Sequence, residues 1–163
     1  MLARWPVALL VLVAVAVAGC GSEDDGGKTT TRVQLTPLLA GDWTGTLTQK
    51  GLAPFRIAVR ISSDGTGRVA YTSIECVGSW IVKNVLASSP PAAYNFRERI
   101  TEGAGGKCKG EGVVSIAPEP RQAPKELGYG FTGGGVSSRG VLHRTDSAGL
   151  KPVFDQAGVE PPD

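Results

Sequence analysis

The sequence predicts an all-β protein, a small eight-stranded antiparallel up-and-down barrel. Eight short segments alternate apolar and polar residues and are separated by clusters of Gly, Pro, Asp and Ser, as in antiparallel sheets. No segment of twelve residues shows the 3.6-residue period of a helix, and 23 glycines with 11 prolines act against long helices. Closing the sheet into a barrel removes its exposed edges. A two-sheet β-sandwich is the alternative.

Residues 1–19 are predicted to be a cleaved signal peptide. Arg4 gives a positive start, an apolar run covers 7–18, and small residues precede Cys20. The run is shorter than the roughly 20 residues that a membrane-spanning helix needs. The sequence Val-Ala-Gly-Cys at 17–20 resembles the lipobox of bacterial lipoproteins. That resemblance implies a diacylglycerol-modified Cys20 that anchors the protein to the cell membrane on its extracytoplasmic face. An ordinary secretory signal, with Cys20 left as a free thiol or paired with another cysteine, is the alternative.

The segments on either side of the barrel domain, 39–145, lack regular patterning. After Cys20, the chain to residue 38 is small, polar and charged, which predicts a flexible tether. Residues 146–163 contain three prolines and scattered apolar residues, which predicts a disordered C-terminal tail. Docking of residues 152–154 on the domain is the alternative for part of that tail.

The strand pattern is clearest in the second predicted strand. There the apolar residues at odd positions from 55 to 61 share one face, and Arg56 and Arg60 share the other. An Asp-Gly pair at 64–65 then predicts a hairpin turn. The eight predicted strands cover about residues 41–49, 54–62, 66–73, 76–86, 92–101, 108–117, 125–132 and 136–144. The predicted inner face consists of Trp43, Phe55, Ile57, Val59, Val69, Tyr71, Trp80, Tyr94, Phe96, Val114, Ile116, Leu127, Tyr129 and Phe131.

Charge and cysteine content limit the partners. Removing Arg4 with the leader leaves 16 basic residues against 15 acidic ones, so the mature chain lacks the basic character that nucleic-acid binding requires. Cys76 and Cys108 form an even pair in an oxidising compartment, which favours a disulfide worth on the order of 3–4 kcal/mol. A zinc site is the alternative, but His143 is the one histidine and the usual four ligands are lacking.

The stretch Gly-Asp-Trp-Thr-Gly at 41–45 carries a resemblance to a known group. A Gly-x-Trp at the start of the first of eight meandering strands, with an Arg near the end of the last, resembles the calycins: lipocalins, fatty-acid-binding proteins and avidins. The resemblance implies that Gly41 and Trp43 close one end of the barrel and that Arg144, or alternatively Arg139, stacks across the Trp ring. Trp43 as a simple core-filling aromatic is the alternative.

The middle of the chain carries a second resemblance. The order of aromatic, Cys and Gly residues from Tyr71 through Trp80 and Tyr94 to Val114 is similar to small extracytoplasmic domains of actinobacterial lipoproteins and of some membrane-bound serine/threonine kinases. The resemblance implies a stand-alone extracellular binding or sensing module. It implies no kinase activity, since the chain has no kinase motif.

Glu98 is the most informative polar residue, because alternation along the fifth predicted strand places it between Phe96 and Ile100 on the inner face. A buried ionised carboxylate without a partner is very costly, so Glu98 must be paired, protonated or near an opening. The sequence leaves open whether Glu98 forms a structural ion pair or is the polar anchor of a ligand pocket. Its candidate partners are Lys107, Lys109, Arg139 and Arg144, and the candidate pocket comprises Tyr71, Trp80, Tyr94, Phe96, Glu98 and Tyr129.

The sequence offers no catalytic, cofactor or metal site. His143 has no evident nucleophile or metal ligand beside it. Residues 128–133 match Gly-x-Gly-x-x-Gly, but they lie within a predicted strand and not between a strand and a helix, so they predict a kinked strand and turn.

Two hypotheses about function follow. The first is a non-catalytic, lipid-anchored binding or sensing module for a small apolar ligand or an envelope component. The second is an interaction protein with a filled core that binds an envelope protein through its outer surface.

Overall fold

The chain folds into a closed barrel of eight antiparallel strands, with each strand hydrogen-bonded to the next and β8 to β1. The computed structural model describes residues 39–72, 75–86, 93–103, 110–118 and 124–162. Its elements are β1 Gly41–Gln49, β2 Phe55–Ile61, β3 Thr66–Tyr71, β4 Cys76–Leu86, β5 Ala93–Gly103, β6 Glu111–Pro118, β7 Glu126–Gly133, β8 Val136–Thr145 and α1 Ser147–Gln156. The predicted all-β, eight-stranded barrel is confirmed, and the β-sandwich alternative is wrong.

Inside and outside alternate along every strand, because successive side chains of a strand point to opposite faces. Every residue of the predicted inner face is buried in one core cluster. The structure adds to it Leu39, Leu47, Ile61, Cys76 and Leu142. The two barrel ends differ. The closed end contains Leu39 and the start of β1, and the far end contains the turn between β7 and β8.

Two turns between strands depend on glycines with positive φ. Between β2 and β3, Asp64 Oδ1 accepts a hydrogen bond from the Thr66 backbone N–H at 2.9 Å, and Gly65 has a φ of +86°. Between β7 and β8, Gly134 and Gly135 have φ of +55° and +78°, the pair of left-handed residues that a two-residue hairpin needs. The Gly-x-Gly-x-x-Gly stretch lies in β7, as predicted from its context.

The prediction of a disordered tail over 146–163 is wrong for residues Ser147–Gln156, which form α1. Asp146 caps this helix by accepting the Gly149 backbone N–H at 2.9 Å. Leu150, Val153 and Phe154 have the i, i+3, i+4 spacing of one helix face and are fully buried. Among the described residues, no helix has the length and apolar character to cross a membrane.

Small residues on the outside of the barrel provide the seat for α1. Ala58 of β2 lies opposite Ala70 of β3, and Ala70 lies opposite Val77 of β4. These three side chains form a second buried cluster with the apolar face of α1. Two short alanine side chains leave room for the helix to lie flat on the sheet, so burial outweighs the weak helix propensity of Gly149 and Pro152.

Arg60 joins the start of β1 to both ends of the helical segment. Its guanidinium binds Asp42 through Nε at 2.6 Å and Nη2 at 2.8 Å. Nη2 also donates to Ser147 Oγ at 2.7 Å, and Nη1 donates to the carbonyl oxygen of Pro162. Both ionic side chains are largely buried, with relative exposures of 19% and 11%, so water screens this pair less than an open surface pair.

We expect Phe154→Ala to lower the free energy of unfolding by about 3–5 kcal/mol, because it leaves a cavity between α1 and the barrel. Gln156→Ala, on the exposed side of the same helix, is the control and should change stability by no more than about 0.5 kcal/mol. Urea unfolding of both variants measures the difference. Equal stability of the two variants would show that α1 does not pack on the barrel in solution.

Candidate functional site

Trp43, Arg144 and Gly41 form the closed end of the barrel. The guanidinium carbon of Arg144 lies 4.4 Å from the centroid of the Trp43 ring, and the two residues are cross-strand partners in β8 and β1. Trp43 Nε1 donates to the Leu39 carbonyl at 2.9 Å, which brings the incoming chain across the barrel end. This is the contact that the sequence predicted for Trp43 and Arg144. The alternative, Arg139, lies exposed on the outer face.

Gly41 is required by the close approach of Arg144. Its φ is +133°, and a Cβ at this position would lie 2.6 Å from Arg144 Nη1. Any larger residue would push the guanidinium away from Trp43. Because Trp43 and Leu39 are fully buried, solvent does not reach the core past these two side chains.

A polar cluster formed by Glu98, Tyr71, Trp80 and Tyr129 lies inside the barrel. Four different strands supply these side chains, β5, β3, β4 and β7. Trp80 Nε1 donates to Glu98 Oε2 at 2.7 Å, and the Tyr71 hydroxyl donates to the same oxygen. The hydroxyls of Tyr71 and Tyr129 are 3.3 Å apart. The Glu98 cluster thus has two neutral donors on one carboxyl oxygen.

The second carboxyl oxygen of Glu98 is left open. Oε1 accepts no hydrogen bond from any described residue, and it is not among the fully buried atoms. Glu98 as a whole is only 3% exposed. Oε1 is therefore an unused acceptor on a side chain that is almost entirely buried.

Burial controls the ionisation of the Glu98 cluster. Desolvation raises the pKa of Glu98 above its ordinary 4.5, while the hydrogen bonds from Tyr71 and Trp80 act in the opposite direction. Burial also raises the pKa of Tyr71, with further contributions from Tyr129 and Glu98. Burial is also the main cause that raises the pKa of Tyr129. Burial thus makes Glu98 hold its proton more tightly than a solvent-exposed glutamate does.

Phe131 covers the Glu98 cluster from the far end. Glu98 lies opposite Gly112 in the pairing of β5 with β6, and a Cβ at Gly112 would overlap the Phe131 ring. A Cβ at Gly133 would lie 2.8 Å from Cζ of the same ring. Phe131 and Ser138 are each 7% exposed, whereas Trp80, deeper in the barrel, has no exposure. Phe131 and Ser138 are thus slightly more exposed than the Glu98 cluster beneath them.

The structure brings together most of the predicted pocket. Tyr71, Trp80, Glu98 and Tyr129 meet, and Phe96 packs on Trp80 with ring centroids 5.5 Å apart. The sixth residue, Tyr94, lies four residues from Glu98 along β5, about 13 Å away, and is not part of the cluster.

The predicted ionic partners of Glu98 need correction. Arg144 stacks on Trp43, and Arg139 faces outward. Lys107 and Lys109 lie outside the described residues. The sequence pointed to a cationic partner because burial of a charge usually demands one; in the structure Tyr71 and Trp80 donate to one oxygen of Glu98. The role of Phe131 was also missed, although the small residues Gly112 and Gly133 signal that a large side chain lies over them.

The outer wall of the barrel contains the larger concavities. One of about 660 Å³ is lined chiefly by outward-facing residues such as Thr48, Ser115 and Arg139. His143 lies elsewhere on the outer wall, exposed, with its Nδ1 3.2 Å from Glu126 Oε1. In the described part of the chain, no three His, Cys, Asp or Glu side chains are close enough to share a metal ion.

Two of the three cysteines lie outside the described residues. They are Cys20, predicted to carry lipid, and Cys108, predicted to pair with Cys76. Cys76 itself is fully buried at the start of β4. Lipidation and the disulfide both remain predictions.

Comparison with known proteins finds no matching family model, no matching curated protein and no matching solved structure.

We expect Trp43→Ala to reduce the free energy of unfolding by about 3–5 kcal/mol, since it removes the largest buried side chain of the closed end and the partner of Arg144. Val141→Ala, at a 42% exposed position of β8, is the control and should cost about 0.5 kcal/mol or less. Chemical denaturation measures both. Trp43→Ala unfolding at the wild-type midpoint would exclude a closing role for Trp43.

Glu98 should make stability depend on pH in a defined direction. Its folded-state pKa is raised above 4.5, so the folded chain holds this proton more tightly than the unfolded chain does. The resulting stabilisation is complete below pH 4.5 and is lost as the pH rises through the folded-state pKa. The Glu98→Gln variant keeps the shape of the side chain and has no ionisable group at this position.

We therefore expect the stability of Glu98→Gln, minus that of the wild type, to increase with pH by at most about 1.4 kcal/mol per pH unit above 4.5. Thermal and urea unfolding over a pH series measure this difference, and all other titrating groups cancel between the two proteins. A difference that stays constant, or that falls with pH, would contradict a raised Glu98 pKa.

Proposed function

We propose that this protein is a non-catalytic binding or sensing module, lipid-anchored through Cys20 on the extracytoplasmic face of a cell membrane, whose barrel binds a small, mainly apolar ligand. The site would be the Glu98 cluster and the aromatic residues around it. The proposal includes a disulfide between Cys76 and Cys108.

The observation that supports binding is the open Oε1 of Glu98. A carboxyl group is expensive to bury, and a purely structural role would be filled more cheaply by an apolar side chain. Here one oxygen accepts from Tyr71 and Trp80, while the other accepts no hydrogen bond from any described residue. Ligand sites commonly have this composition, with apolar and aromatic walls and a few oriented polar groups.

The second candidate function, a protein partner bound to the outer surface, is favoured by a separate observation. Ile81 and Val113 are 50% and 49% exposed and lie on either side of Arg97 on the outer face of β4–β6. Side chains such as Trp80 and Phe96 in the middle of the barrel have no exposure, so any interior ligand must be small or must displace Phe131. A partner that buries Ile81 and Val113 would need no interior space.

Native mass spectrometry of the full chain, isolated from bacterial membranes in mild detergent without reductant, tests the proposal. We expect a retained adduct that is absent from the denatured spectrum and lost in Glu98→Gln, with Glu111→Gln as a surface control. The denatured spectrum also reports the acylated Cys20 and, by a deficit of about two hydrogens, the Cys76–Cys108 bond. An unliganded mass that persists after incubation with membrane lipid extracts would favour the surface-binding candidate.

A further inference from the structure

We propose that the Glu98 site binds a small organic cation, an apolar amine whose ammonium group pairs with Glu98 Oε1 while its hydrocarbon part contacts Phe131. This inference rests on the proposed binding function and specifies its ligand class.

Among the described residues, no cation pairs with Glu98. Its hydrogen-bond partners are Tyr71 and Trp80, and no described Arg, Lys or His forms an ion pair with it. The titratable groups that face it are Tyr71 from β3 and Tyr129 from β7, while β6 contributes Gly112. The countercharge that an ionised Glu98 needs is thus missing from its described surroundings.

Aromatic rings pack around the Glu98 cluster. The rings of Trp80 and Tyr129 are stacked with centroids 6.1 Å apart, and the Phe96 ring also packs on Trp80. Phe131 adjoins from the far end, beside Gly112. The faces of aromatic rings attract cations and repel the lone pairs of a neutral acceptor. A carboxylate surrounded by such rings is suited to an ammonium group more than to a carbonyl ligand.

The two hydrogen bonds on Oε2 prepare Glu98 for this role. The donors from Tyr71 and Trp80 fix the carboxyl plane and stabilise negative charge when it forms. Binding of an ammonium ion to the protonated site then releases the carboxyl proton to solvent: the O–H bond of Glu98 breaks, and the carboxylate pairs with the cation. Affinity should therefore increase with pH up to the pKa of Glu98 and level off above it.

Phe131 controls access. Its ring occupies the space over Gly112 and Gly133, between Glu98 and the far end. Shortening this side chain should widen the entrance without touching Glu98, Tyr71 or Trp80. If the wild type binds no amine, Phe131→Ala shows whether the site is blocked or absent. An amine that only Phe131 excludes should bind to this variant.

The test is isothermal titration calorimetry with phenethylamine, and with 2-phenylethanol as its uncharged counterpart, on the full chain and on Phe131→Ala. We expect phenethylamine to bind, with affinity rising up to about tenfold per pH unit below the pKa of Glu98. Below that pKa, titrations in two buffers of different ionisation enthalpy should report release of up to about one proton. Glu98→Gln should lose at least about tenfold in affinity, and Glu111→Gln, on the outer face, should lose none.

Three results would overturn the proposal. Tighter binding of 2-phenylethanol, with affinity falling as pH rises, would mean a neutral ligand and leave the binding function standing. Equal amine affinity of Glu98→Gln and wild type would place the amine elsewhere. Absence of amine binding to both the wild type and Phe131→Ala would exclude a cation site, while a retained adduct in native mass spectrometry would still support a ligand of another class.

Discussion

Pairing of β1 with β8 closes the sheet, and the remaining features of the molecule depend on this closure. It runs from Asp42 opposite Thr145 to Gln49 opposite Ser138. Closure leaves no exposed sheet edge and separates all side chains into an inner and an outer set. It also brings Arg144 over Trp43, from opposite ends of the domain sequence. The Glu98 cluster depends on closure in part, because Tyr129 of β7 reaches Tyr71 of β3 across the interior, whereas β3, β4 and β5 are neighbours in the sheet.

Local patterning predicts most of this fold because the strand period is a property of neighbouring residues. Alternation around Phe55 and the Asp-Gly pair at 64–65 was sufficient to place strands and turns. The helix α1 was missed because Gly149 and Pro152 weaken its local signal, and its stability comes from Ala58 and Ala70, which are distant in sequence. Tertiary packing here overrides propensity.

The site was harder to predict than the fold. Alternation identified Glu98 as an inward carboxyl group, but contacts across the interior depend on strand tilt and stagger, which local sequence does not encode. The choice among Arg139, Arg144 and neutral donors therefore could not be made. Arg144 was placed correctly by its resemblance to a known pattern. Glu98 illustrates a general tendency, since residues that contradict the local apolar pattern are often those retained for function.

The contacts of Arg60 hold the two ends of the described domain close together. Arg60 binds Asp42, near the first described residue, and the carbonyl of Pro162, near the last. The two ends of the folded unit therefore lie within one arginine side chain of each other. A domain whose ends adjoin can be inserted into a loop of another protein, or permuted with a short linker between its ends, without stretching the host.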